Sequence, residues 1–117
     1  MTRLVTAHRY VASLTAAIIF LLPLAASAQD AAKRGEEVYN AQKCQVCHSI
    51  AGKGGKQSPL DGVASKLSAE DIRKWIVEPV EMAAKAKSTK KPPMLKKYHT
   101  LPAADIDALV AYMLTLK

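Results

Sequence analysis

Cys44 and Cys47 are the only cysteines of this 117-residue chain, they stand three positions apart, and His48 follows directly. A disulfide between them would close a loop too short to remove much entropy from the unfolded chain, so it would stabilise little. A thioredoxin-like dithiol needs a βαβ context, and strand signals are weak throughout. A zinc site needs a fourth ligand near a third, and no further cysteine supplies it. The segment Cys44-Gln45-Val46-Cys47-His48 therefore calls for chemistry that uses two thiols and an adjacent imidazole together.

C-x-x-C-H is the pattern of covalent c-type haem attachment. Two thiols separated by two residues add to the two vinyl groups on one edge of a porphyrin, and the next histidine lies beneath the ring and offers a nitrogen to iron. The composition agrees. A chain of this length holds one small domain, and its aromatic share is only 5%, low for a small core that must stand without a staple. A covalently held, non-peptidic group would complete such a core.

The leader sets the compartment. Arg3, His8 and Arg9 precede an uncharged run from Tyr10 to Gln29 that passes Pro23 and ends in Ala26-Ser27-Ala28. This is the pattern of a secretory signal peptide, residues 1–28, cleaved after Ala28. The competing reading is a retained anchor, since the run approaches the roughly 20 residues that span a bilayer. Cleavage leaves residues 29–117 as the functional domain, with a net charge of +5 against +7 for the whole chain. Export places it in the periplasm.

Periodicity predicts helices. From Ala31 to about Lys43, the residues Ala31, Ala32, Gly35, Val38 and Tyr39 share one stripe. Gly35 in mid-helix costs about 1 kcal/mol relative to alanine, so it implies close approach by another element. Ser68 to about Glu78 opens on an N-cap serine with Asp71 three residues on, near to a capping box, and stops at Pro79. Its apolar stripe is Ile72, Trp75 and Ile76. A last helix begins near Pro102, with Asp105 and Asp107 near its positive end. It buries Ile106, Leu109, Val110, Met113 and Leu114. Ser49 to Lys66 holds four of the five glycines and reads as loop.

From about Ala31 onward the chain resembles a small monohaem cytochrome c of class I. Besides the haem motif, the matching pieces are Gly35 to Tyr39, Pro59-Leu60, Trp75-Ile76 to Pro79, Met94 and Leu109-Val110-Ala111-Tyr112. The resemblance implies an all-α fold of three or more helices around one covalent haem c, and electron transfer. It implies that Gly35 packs on the last helix, and that Trp75 packs on the methionine side of the haem, although plain core packing also explains a tryptophan there. A ligating histidine needs its second ring nitrogen held by an acceptor. In the family that is the carbonyl of a proline after the motif, and Pro59 is the candidate here; an ordinary turn proline is the plainer reading.

The sixth ligand is sought among Met82, Met94, Met113 and His99. Met113 is explained by the apolar stripe of the last helix. Met82 lies three residues after Pro79 and would have to turn back at once. Met94 follows Pro92-Pro93, which stiffen a loop holding a weak ligand, and it matches the family position. Context and resemblance favour Met94, with Met82 second. Leu95 stands where the family often has proline, and the loop from Pro79 to Met94 is longer than in mitochondrial relatives.

Histidine and methionine ligation leaves no open iron position, so the expected function is one-electron exchange rather than enzymatic turnover. No Ser/His/Asp set, paired-carboxylate motif or phosphate loop appears. Lys85, Lys87, Lys90, Lys91, Lys96 and Lys97 bracket Met94, either as a solvated loop or as a basic patch that steers an acidic oxidase, reductase or dehydrogenase to a monomeric carrier. Nucleic acid is not expected as a partner, nor is membrane contact except through a partner or an uncleaved leader. The alternatives are a haem sensor or enzyme with a displaceable sixth ligand, and a dedicated subunit of one dehydrogenase.

Overall fold

The computed structural model describes residues 22–117; residues 1–21, most of the expected leader, lie outside the described residues. The core belongs to the unit formed by Ala31–Lys117. In chain order the elements are α1 (Leu22–Ala41), a 3-10 turn (Cys44–Val46), β1 (Ser49–Ile50), β2 (Lys53–Gly54), α2 (Val63–Lys66), α3 (Ala69–Val77), α4 (Pro79–Lys85), a second 3-10 turn (Lys96–Thr100) and α5 (Ala103–Met113). The architecture is all-α, as expected, with one minimal antiparallel ladder. Among the described residues, no helix is long and apolar enough to cross a membrane.

The haem motif follows α1 because α1 ends sharply. Lys43 takes a left-handed backbone, φ 57°, and Cys44 opens a 3-10 turn, so the helix stops two residues short of the expected Lys43. Gly35 explains how α1 meets α5. A Cβ on it would lie 2.0 Å from the Ala108 carbonyl oxygen and 2.6 Å from Tyr112 Cβ, so only hydrogen fits at this crossing. One turn further along α1, Tyr39 meets Tyr112 edge-on, with ring centroids 5.7 Å apart. Arg34 of α1 also pairs with Asp105 of α5 at 2.6 Å.

Ser68 caps α3 by accepting the Asp71 N–H at 3.1 Å, while its own hydroxyl donates to the Asp71 carboxylate at 2.9 Å. Ile72 and Ile76 are buried and Trp75 is half-buried. Pro79 ends α3 and starts α4, because its fixed φ suits the first turn of a helix, where an N–H is not needed. The stretch from Pro79 to Met94 is therefore not all loop, as the sequence suggested. Its first seven residues are helical and hold Met82.

The glycine-rich stretch also carries more structure than expected. Ala51 and Gly52, at φ 51° and 75°, form the two-residue hairpin that joins β1 to β2, a turn whose twist requires positive φ at its centre. The Asp61 carboxylate accepts the Ala51 N–H at 2.8 Å. Alanine rarely adopts this conformation, which is why the hairpin left no sequence signal.

Tyr39, Ile72, Ile76, Tyr98, Leu109, Val110 and Met113 form the buried cluster. The expected α5 stripe is buried except for Leu114, which follows the helix and is exposed. No large side chain in this core is completely buried, so the peptide core is thin for its length.

Candidate haem site

The C-x-x-C-H segment is wound into one tight turn by its own backbone. Cys47 and His48 both donate N–H groups to the Cys44 carbonyl, at 3.2 and 3.0 Å. This brings the two half-buried thiols and the histidine onto one loop. Gly54 and Gly55 pack against that loop from outside. A Cβ on Gly54 would sit 2.3 Å from the His48 carbonyl oxygen, and one on Gly55 2.2 Å from that of Val46. The Gly55 N–H donates to the Gln45 carbonyl at 2.8 Å. Two glycines that read as loop punctuation thus let the β2 backbone brace the motif.

His48 Nδ1 donates to the Ser58 carbonyl at 2.8 Å. A carbonyl can only accept, so the proton resides on Nδ1 and the lone pair on Nε2, the form in which an imidazole ligates iron. This corrects the Pro59 expectation by one residue. The chain is tied to the motif on both sides of this peptide, with Ser58 N–H to the Cys47 carbonyl at 3.2 Å and Leu60 N–H to the Ser49 carbonyl at 2.9 Å. Those ties turn the Ser58 carbonyl toward the ring, while Pro59 itself is exposed.

Met94 is half-buried and packs on the central cluster, as does Cys44. Met82 is half-buried on α4, and Met113 is buried in the core. His99 is exposed, with Nδ1 donating to the Lys96 carbonyl at 2.5 Å. Trp75 lies on α3, which packs against the 3-10 turn that follows Met94.

That turn carries Tyr98, a residue without a sequence signal. Burial raises its phenol above the ordinary range, and Cys44 and Cys47 add to the effect; Cys44 packs on the same buried cluster as Tyr98. Lys97 lies over its ring, 5.2 Å from the centroid. Burial also pushes the Cys44 thiol up, against smaller opposing pulls from a backbone hydrogen bond and the Lys97 ammonium. Tyr39 is pushed up to about 12, first by burial and then by Cys44 and Tyr112.

Among the described residues, no group of three or more His, Cys, Asp or Glu side chains is placed to hold a metal ion. The donor set instead fits haem: two thiols separated by two residues, an imidazole held through Nδ1, and a thioether on the same core. Searches of curated proteins and of solved structures found no match. The family model described as cytochrome c matches residues 32–117. With that match on top of the donor set and the all-α fold, the chain belongs to the cytochrome c family, which carries covalently attached haem c and works in electron transfer.

Proposed function

We propose that this chain is a monomeric one-electron shuttle between exported redox proteins, with haem joined to Cys44 and Cys47 and iron held by His48 and Met94. The observation that carries the reading is the His48 ring, whose Nδ1 is committed to the Ser58 carbonyl at 2.8 Å. That bond fixes the tautomer, directs Nε2 as the donor and raises its basicity. Haem with both axial positions filled exchanges single electrons and offers no open position to oxygen or substrate.

The remaining roles belong to the chain. Met94 supplies a neutral, polarizable thioether from a segment packed on the core, which favours the ferrous form. Trp75 of α3 borders the methionine side and excludes water. Lys85, Lys87, Lys90, Lys91 and Lys96 are exposed around Met94, as is Lys97, and form a basic rim for an acidic oxidase, reductase or dehydrogenase. Residues 1–28 direct export, and the carrier works in the periplasm.

The test is a ferric and ferrous absorption spectrum of protein matured in the periplasm, wild type beside Met94→Ala. The wild type is expected to show the weak long-wavelength band of methionine-to-iron bonding, and the variant to lack it. A band that survives in the variant makes Met82 the ligand. No band in either protein, with prompt carbon monoxide binding by the ferrous form, makes the chain a sensor or enzyme with an open iron position.

A further inference from the structure

His48 is held by its backbone as well as by its ring. Its N–H donates to the Cys44 carbonyl at 3.0 Å, and its carbonyl faces the Gly54 backbone so closely that a Cβ there would lie 2.3 Å from the oxygen. The same carbonyl accepts from the Tyr39 hydroxyl at 3.2 Å. Tyr39 is 5% exposed, so its ring is held in the core and its hydroxyl reaches the His48 carbonyl from there. The ring that carries the hydroxyl is set by the α1–α5 crossing, through Gly35 against Ala108 and Tyr112 and through the edge-on contact with Tyr112.

From this arrangement we infer that Tyr39 is a positioning residue for the iron-ligating histidine: its hydroxyl pins the His48 carbonyl, and with it the direction of the imidazole plane and the strength of the bond from Nδ1 to Ser58. The inference rests on the His48 reading above. Two anchors act on one residue, one on the ring and one on the peptide, and an imidazole hinged at Cβ needs both to hold one azimuth. Packing alone does not require a hydroxyl at position 39, since a phenylalanine ring would fill the same place against Tyr112. The hydroxyl is the part of the side chain that reaches the ligand.

The consequence has a direction. Without the Tyr39 bond the His48 peptide relaxes, the bond from Nδ1 to Ser58 lengthens, and the imidazole becomes a weaker donor. A weaker donor stabilises ferric iron less, so the reduction potential rises.

The experiment compares ferric holoprotein of wild type, Tyr39→Phe and Tyr112→Phe by proton NMR of the haem methyl groups, whose paramagnetic shifts follow the orientation of the axial imidazole. Potentials are read on the same samples. Tyr39→Phe is expected to redistribute the methyl shifts and raise the potential with the thermal midpoint nearly unchanged. Tyr112→Phe removes a hydroxyl from the same ring pair without touching His48, and is expected to leave the methyl pattern as in wild type. Superimposable methyl patterns in wild type and Tyr39→Phe overturn the inference, and so does an equal response of the two variants. A wild-type spectrum without low-spin histidine ligation overturns the His48 reading instead, which keeps the two failures distinct.

Discussion

At position 54, residue type and backbone conformation bear directly on the haem motif. Gly54 adopts φ 111°, a conformation that side chains rarely take, and its missing Cβ leaves room for the His48 carbonyl. Gly54→Ala combines backbone strain with a clash against backbone, and is expected to cost about 2 kcal/mol of holoprotein stability. Denaturant titration followed by absorbance of the bound haem checks it. Tyr39 makes a prediction in pH. Its phenol rises from an ordinary 10 to about 12, chiefly through burial, so the folded state favours the protonated form. The stability this contributes is complete below pH 10 and is lost as pH rises through about 12. Thermal midpoints across that window should fall for the wild type and fall less for Tyr39→Phe.

Among the helices, α1 and α5 meet where Gly35 lies against Ala108 and Tyr112. Two kinds of interaction join them, and their magnitudes differ. At Gly35 the approach is limited by backbone, with a Cβ reaching to 2.0 Å from the Ala108 oxygen. Gly35→Ala must therefore separate the helices, at an expected cost of about 3 kcal/mol, the upper end for overpacking. The Arg34–Asp105 pair beside it has an arginine 59% exposed, and Arg34→Ala is expected to cost less than about 1 kcal/mol. Unfolding curves of the two variants decide between close packing and charge as the main tie; comparable losses would show that the crossing can relax. The pair between Arg73 of α3 and Asp107 of α5 is likewise exposed.

Taken whole, the chain is basic, and six exposed lysines flank Met94 in the sequence. If that rim steers an acidic partner, the second-order rate of electron transfer falls as salt is raised, because attraction between exposed charges is screened beyond about 10 Å at 0.1 M ionic strength. Stopped-flow rates with the redox partner across ionic strength test it, and a flat profile rejects steering. Much of this molecule is written locally. Ser68 and Pro79 announce their boundaries because a cap and a fixed φ act within one turn, Gly35 marks a helix crossing by its intrinsic cost, and the haem motif is a spacing of two residues. Even α4 had a local cue, a proline followed by helix formers at Glu81, Met82, Ala83, Ala84 and Lys85. The rest depends on which distant groups meet. That Ser58 and not Pro59 faces the His48 ring follows from two backbone bonds to the motif. That Tyr98 and Cys44 share one cluster, and that the Tyr39 hydroxyl reaches His48, follows from helix packing. By itself the sequence determined three of the five described helices and the cofactor chemistry, since these rest on residue type and short spacing. Only the tertiary structure decided which carbonyl orients His48 and which hydroxyl holds its peptide, because a hydrogen bond depends on positions within a few tenths of an ångström, and those are set by the packing of the whole chain.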